Sequence, residues 1–191
     1  MNSKTSTFIV SLIIGIVVGG GVYGLIHSIT HSGTVITEQG TTNTYSNGTY
    51  GITFTYPNSY ILTEKDSTTG DKLHTITLIA KADATPMNAS STPGEGPTAI
   101  TFDFYKNADN KTLANWVKET NDSNFNLGDG VATPVNIAGV PALTYSWSGL
   151  YGGNTIVFAH TNIVMASMTY LTYQDPIWKD FGSIIQSLKF Q

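Results

Sequence analysis

Cysteine is absent from this chain of 191 residues. Its absence excludes a disulfide framework, metal sites built on thiolates and lipid attachment through a cysteine. The composition is compatible with export from the cytoplasm. An exported domain of this sequence would rely on its packed core to maintain the fold, because no covalent cross-link is possible.

Arginine is absent as well. All nine basic residues are lysines and 13 residues are acidic, so the net charge is −4. Arginine is the side chain best suited to bind phosphate and carboxylate groups through two hydrogen bonds at once. We therefore expect no binding of nucleic acid and no electrostatic docking on an anionic lipid surface.

Common catalytic motifs are also missing. The chain has neither the G-x-S-x-G of a nucleophile elbow nor the H-E-x-x-H of a zinc protease. His74 and His160 are far apart in predicted strands, so we interpret them as surface or satisfied core histidines. His27 and His31 are four residues apart, but the Ser, Thr and Gly around them favour a fraying helix end. We predict that the protein is not an enzyme and has no cofactor and no metal-ligating residue.

One segment partly matches a calcium-binding loop. Residues 122–126 read D-x-N-x-N, the opening of an EF-hand loop, in which alternate oxygens bind one ion. The sixth position is Leu127 rather than glycine, and the twelfth is Thr133 rather than glutamate. A solvated loop is the favoured interpretation, and a domain that binds calcium, a sugar or another small ligand is the alternative.

The only long apolar run lies near the start of the chain. Residues 8–26 are 19 uncharged residues, and a membrane-spanning helix needs roughly 20. Lys4 precedes the run and Glu38 is the first charge after it, so the positive-inside rule places the N-terminus in the cytoplasm. We predict an uncleaved single-pass anchor with an extracytoplasmic C-terminal part. Cleavage near Thr30 and Ser32, which would release a secreted domain, is the alternative.

These features divide the chain into four parts. We predict a cytoplasmic N-terminus over residues 1–7, a transmembrane helix over 8–26, a flexible stalk over 27–47 and an exported domain over 48–191. The stalk is rich in Thr, Ser and Gly and shows no sustained helical or strand periodicity. The exported part as a whole, stalk and domain together, would carry eight lysines and all 13 acidic residues, which gives it an acidic balance.

The domain combines predicted strands with two predicted helices. One helix is expected over 111–120, capped by Asp109 or Asn110, with Leu113, Trp116 and Val117 on one apolar face. The other begins at Asp175 and Pro176 and carries an apolar stripe toward the C-terminus. No strand–helix–strand alternation appears, so we predict an α+β fold with an antiparallel sheet. Strands are predicted from alternation and turn residues over 51–57, 60–62, 73–80, 98–105, 131–137, 141–147, 155–160 and 163–173, with a hairpin loop over 149–154.

Four segments in this order resemble the PsbP-like superfamily. They are YGITFTYP (50–57), TLANWV (112–117), VNIAGVPA (135–142) and FGSIIQSLKF (181–190). The sequence departs from the family where Tyr60 stands in place of a common tryptophan. The resemblance implies an antiparallel β-sheet covered by helices, an α/β/α sandwich, and members of the superfamily serve as assembly factors and accessory subunits.

The function expected from these observations is a membrane-anchored, non-enzymatic interaction or accessory module with an unknown protein partner. Aromatic residues dominate protein contact surfaces, so Tyr145, Trp147 and Tyr151 are the candidate contact residues, with Tyr173 beside them. The alternative for these aromatics is cross-strand packing.

Overall fold

The computed structural model describes residues 41–68, 70–84 and 96–191. The predicted cytoplasmic N-terminus, the predicted transmembrane helix and most of the predicted stalk lie outside these residues. Within the described part, none of the helices has the length and apolar character needed to cross a bilayer.

The described residues form a mixed α+β domain with antiparallel sheets and few helices, which confirms the predicted fold class. Its helices are α1 (Leu113–Glu119) and α2 (Ile177–Ser187), with short 3-10 turns at Asn121–Ser123 and Phe125–Leu127. The strands are β1 (Thr42–Asn47), β2 (Ile52–Pro57), β3 (Tyr60–Asp66), β4 (Lys72–Ala80), β5 (Ile100–Tyr105), β6 (Thr133–Ile137), β7 (Val140–Ser148), β8 (Gly152–Ala159), β9 (Ile163–Tyr170) and β10 (Lys189–Phe190).

The strands form a large sheet in the order β3-β4-β5-β9-β8-β7-β6 and a small sheet in the order β1-β2-β10. Because neighbouring strands are antiparallel, their connections meet at two opposite ends of the domain. We call the end where the described chain begins the proximal end. It carries residues 58–59, 81–84, 96–99, 149–151 and 171–176, and the opposite, distal end carries 48–51, 67–71, 106–112, 138–139 and 160–162.

The first core lies between the large sheet, the small sheet and α2. Phe54 of β2 stacks on Phe102 of β5 with ring centroids 4.8 Å apart, and both side chains are fully buried. The predicted apolar stripe of the second helix is confirmed, because it faces this core through the buried residues Ile177, Phe181, Ile184, Ile185 and Leu188.

The second core lies on the other face of the large sheet. Helix α1 and the following 3-10 turns supply Trp116, Val117 and Phe125, which pack on buried residues of β5, β7, β8 and β9. The apolar face predicted for α1 is therefore confirmed. The large sheet is covered on both faces, which gives the layered arrangement implied by the PsbP-like resemblance.

The domain begins earlier than the sequence suggests. Residues 42–47, which were assigned to the flexible stalk, form β1 and pair in register with β2. Tyr45 is buried and stacks on Phe54 at 5.0 Å. The prediction of a stalk up to residue 47 is wrong because a strand with one inward aromatic shows too little alternation to be recognised.

Other boundaries also differ from the predictions, and the largest difference is in β3, which extends to Asp66 where a strand over 60–62 was predicted. The cap of α1 is Thr112, whose hydroxyl accepts a hydrogen bond from the Asn115 backbone N–H at 3.3 Å, rather than Asp109 or Asn110. Strand β8 starts at Gly152, inside the predicted hairpin loop, and β9 ends at Tyr170. Strand β10 was not predicted, since two residues carry no periodicity.

Candidate functional site

A polar cleft of about 440 Å³ opens at the distal end of the large sheet. It lies between the turn that leads into β4, the loop that connects β5 to α1, and the first 3-10 turn. Its lining comes from residues 70–72, 105–109, 111, 116 and 119–122. We call this feature the polar cleft.

Lys72 lines the polar cleft and lies between two carboxylates, of which Asp122 also lines the cleft and Asp103 does not. Lys72 Nζ lies 3.3 Å from Asp103 Oδ1 and 3.4 Å from Asp122 Oδ2. Asp103 is buried in the middle of β5, and the Thr75 hydroxyl donates a hydrogen bond to its Oδ1 at 2.5 Å. A buried carboxylate is costly unless it is paired and hydrogen-bonded, and Lys72 and Thr75 supply the ion pair and the hydrogen bond that Asp103 needs.

Tyr105 connects this ion pair to the second core. Its hydroxyl donates a hydrogen bond to Asp122 Oδ2 at 2.9 Å, and Lys72 Nζ lies 5.2 Å from the centre of its ring. Burial raises the pKa of Tyr105 well above its usual range, and the charges of Asp103 and Asp122 raise it further. The phenol therefore remains neutral and acts as a hydrogen-bond donor rather than a base.

The rim of the polar cleft is held by a second set of contacts. Lys111 Nζ lies 2.8 Å from Glu119 Oε2 and 3.8 Å from Asp109 Oδ2, and the hydrogen bond to Glu119 raises the pKa of Lys111. The Asn107 side chain accepts from the Lys111 backbone N–H at 2.8 Å and donates to its carbonyl at 3.0 Å. The rim loop thus has a defined shape, and the opening is lined by both lysines and carboxylates.

The candidate contact residues do not form one surface. Tyr145 is 4% exposed and its hydroxyl donates to the Ser123 carbonyl at 2.8 Å, so the prediction that it lies on a contact surface is wrong. Trp147 is half-buried and donates from Nε1 to Thr155 Oγ1 at 3.0 Å. Tyr151 lies in the turn beyond β7 and donates to the Gly96 carbonyl at 2.5 Å. Cross-strand packing on β7 and β8, the alternative interpretation, therefore accounts for Tyr145 and Trp147.

The segment that resembles a calcium loop serves the second core. Ser123 is buried, and its hydroxyl donates to the Val117 carbonyl at 2.7 Å. Phe125 is buried too, so the segment is not simply a solvated loop. The carboxylate of Asp122 is already engaged by Lys72 and Tyr105. Among the described residues, no three His, Asp or Glu side chains converge on a position that would hold a metal ion.

The two histidines of the domain are satisfied by nearby groups. His74 is buried with Nδ1 2.6 Å from Asp66 Oδ1 and Nε2 3.1 Å from Glu64 Oε2. Exposed His160 has Nε2 3.3 Å from the Gln191 carbonyl oxygen. The interpretation of both as satisfied or surface histidines is confirmed.

The polar cleft was not predicted, although one signal for it was present. Residues 100–105 read ITFDFY, which places Asp103 between two buried phenylalanines of a strand whose other residues, apart from Thr101, are apolar or aromatic. A charge in such a strand requires a partner, and the partner, Lys72, is 31 residues away in the sequence. Only the pairing of β4 with β5 brings them together.

Comparison with solved structures shows that this layered α+β domain has a PsbP-like fold. The solution structure of cyanobacterial PsbP (CyanoP) from Synechocystis sp. PCC 6803 is similar, with a TM-score of 0.53 and 14% sequence identity. The similarity covers 86% of this chain and 99% of that one. At this identity the likeness shows the fold alone. No family model and no curated protein matches the sequence.

Proposed function

We propose that the protein is a membrane-anchored, extracytoplasmic PsbP-like domain that works as a non-enzymatic interaction or accessory module. The apolar run over residues 8–26 supports the anchor, and the absence of arginine argues against nucleic acid as the partner. The polar cleft carries the proposal of an interaction role, because it is an open, shaped and charged feature on the surface of the domain.

The charged groups of the polar cleft are suited to recognition. Lys72, Asp103 and Asp122 hold one another in place, and Lys111 and Glu119 do the same at the rim. A surface that is ordered before binding loses less conformational entropy when a partner arrives. A surface with charges of both signs favours a partner whose charges are complementary and disfavours partners with like charges at the same positions. The partner expected here is a protein with exposed charged side chains.

A small polar ligand is the second candidate occupant. The volume of the polar cleft falls within the usual range for small-molecule sites, but such sites are lined mainly by apolar and aromatic groups. Here the lining is largely ionic, which favours the protein partner. Calorimetric titration of the full chain with calcium and with simple sugars separates the two, since binding of either would support the small-ligand role.

Site-specific cross-linking in intact membranes tests the interaction role. A photo-reactive residue at position 108, exposed in the rim, is expected to give a discrete adduct with another protein. The same residue at position 136, exposed on β6, serves as the matched control. The Lys111→Glu substitution should weaken the adduct at position 108. Equal labelling at both positions would contradict the proposal.

The anchor is tested separately by fractionation. We expect the full chain to remain with the membrane pellet at alkaline pH, and protease added outside intact cells to digest the domain. Release into the soluble fraction would remove the anchor from the proposal and favour the secreted form.

A further inference from the structure

Exposed apolar side chains are unevenly distributed between the two ends of the domain. Six large hydrophobic residues of the described part have substantial exposure, and all six lie toward the proximal end. They are Ile61 (42%), Leu127 (53%), Val131 (60%), Leu150 (70%), Leu171 (71%) and Tyr173 (78%). Exposed apolar surface collected in one region is typical of an interaction site.

Strand register places the three most exposed residues on adjacent loops. Gly152 at the start of β8 pairs with Tyr170 at the end of β9, so the turn that holds Leu150 lies beside the loop that holds Leu171 and Tyr173. Tyr151 and Leu171 line the same shallow cavity. We call these two loops, residues 149–151 and 171–174, the apolar loops.

The other exposed residues extend this region. A methyl group built on Gly149 would lie 3.8 Å from Leu127 Cδ1, so Leu127 borders the first apolar loop. Val131 precedes β6, which starts toward the proximal end, and Ile61 pairs with Ile79 close to the start of β3. The exposed apolar residues therefore surround one end of the sandwich.

The described chain begins at this same end. The Thr41 carbonyl accepts a hydrogen bond from the Asn58 backbone N–H at 2.9 Å, and β1 runs from there toward the distal end. Fourteen residues, 27–40, separate the apolar run from Thr41. A chain of that length spans at most about 50 Å.

We propose that the proximal end rests on the bilayer, with the apolar loops at the boundary between lipid headgroups and acyl chains. The inference rests on the membrane anchor of the proposed function. Tyr173 lies 5.3 Å from Tyr170 and 6.2 Å from Trp178 between ring centroids, and such aromatic groups favour the membrane interface. Asp83 and Asp175 lie nearby, so the attraction is apolar and does not require anionic lipid.

This orientation sets the position of the polar cleft. Strand β4 runs from the polar cleft to the proximal end over nine residues, a length of about 30 Å. The polar cleft would therefore face away from the membrane, where a partner in the aqueous phase reaches it.

The test uses the full chain in zwitterionic vesicles with an environment-sensitive fluorophore. Because the chain lacks cysteine, a single introduced cysteine gives a single label. Leu150→Cys and Leu171→Cys report on the apolar loops, and Thr161→Cys and Asp109→Cys, both exposed at the distal end, are the matched controls. Lipids with a nitroxide on the headgroup quench fluorophores that lie at the interface.

We expect labels at positions 150 and 171 to be quenched at least about twofold more than the controls, since interfacial groups lie within about 10 Å of the headgroups. The pair Leu171→Ser and Tyr173→Ser should reduce quenching at position 150. The difference should persist when the ratio of protein to lipid is lowered.

Three results would overturn the inference. Equal quenching at both ends, in a chain that floats with the vesicles, would remove the lipid contact and leave the anchor intact. If the fluorophores at positions 150 and 171 are shielded from water only at high protein density, a second copy of the chain, rather than lipid, covers the proximal end. A chain that does not float with the vesicles would overturn the anchor and the lipid contact together.

Discussion

At the scale of single residues, two glycines of β8 each lie against an aromatic ring. In the strand register Gly153 is opposite Trp147 of β7, and Gly152 is opposite Tyr170 of β9. A Cβ atom on either glycine would overlap the facing ring. A glycine within a strand often marks such a close approach. The glycine-rich segment that resembles a hairpin loop therefore continues into a strand.

The Gly153→Ala substitution should destabilise the domain by about 1–3 kcal/mol, because the new methyl group displaces the Trp147 ring from its packed position. Denaturant unfolding measures the change. Gly182→Ala is the matched control, since a Cβ there meets no atom within 4 Å and Gly182 lies inside α2. This control should stabilise the domain by about 0.5–1 kcal/mol. Equal effects of the two substitutions would contradict the role assigned to Gly153.

Lys72 is the cation that pairs with both Asp103 and Asp122 at the polar cleft. The Lys72→Met substitution keeps most of the side-chain volume but leaves the charge of Asp103 buried without its partner, so we expect a loss of about 2–3 kcal/mol in unfolding free energy. Adding Asp103→Asn should recover part of the loss, because the unpaired charge is removed. Lys111→Met, at the exposed rim, should have little effect. Failure of the double variant to recover stability would show that the pairing is unimportant.

At the scale of secondary-structure elements, α1 shows which features a sequence pattern can predict and which it cannot. The spacing of Leu113, Trp116 and Val117 predicted its apolar face correctly. The predicted cap was wrong because several polar residues precede the helix and each has a side chain that can accept a capping hydrogen bond. Asn110 adopts a left-handed conformation in the rim loop, and only the structure shows that Thr112 accepts the capping hydrogen bond.

The Thr112→Ala substitution should therefore cost about 1 kcal/mol of stability, through loss of the capping hydrogen bond. Asp109→Ala, at the position that the sequence suggested as the cap, should change stability much less. Thermal unfolding followed by circular dichroism compares the two. A larger loss of stability for Asp109→Ala than for Thr112→Ala would show that residue 109 is the cap, as the sequence suggested.

At the scale of the whole molecule, both cores contain buried tyrosines whose phenols must remain neutral in the folded state. Burial raises the pKa of Tyr45 in the first core and of Tyr145 in the second core to about 12. Burial also raises the pKa of Tyr60, helped by its hydrogen bond to Asp180, and the pKa of Tyr105. The folded domain thus retains protons that the unfolded chain releases near its ordinary tyrosine pKa of 10.0.

We expect the stability of the domain to be independent of these tyrosines below about pH 9 and to fall as pH rises from about 10 toward 12. The sign follows because the folded state binds more protons than the unfolded state in that interval. Unfolding free energy measured at about pH 8, 10 and 11 checks the trend, and the tyrosinate absorbance of the buried tyrosines should appear together with unfolding. A constant free energy of unfolding up to pH 11 would show that the tyrosines ionise without loss of structure.

The whole-molecule view also shows why the fold was more predictable than the site. Alternating apolar residues, together with turn residues such as Ala138 and Gly139, predicted most strands correctly, because both signals are local in the sequence. The polar cleft depends on Lys72, Asp103 and Asp122, which belong to different segments. Their convergence follows from strand register and loop shape, and neither leaves a local pattern in the sequence.

The short strand β10 has a consequence for the order of folding. Phe190 pairs with Ile52, so the small sheet joins segments separated by nearly the whole domain. A ribosome releases β2 long before β10, and during that time β2 has only β1 beside it. Contacts of such long sequence separation form slowly. We therefore expect β10 to join the small sheet late in folding, and until it does, the edge of β2 that pairs with β10 stays open to chaperones and proteases.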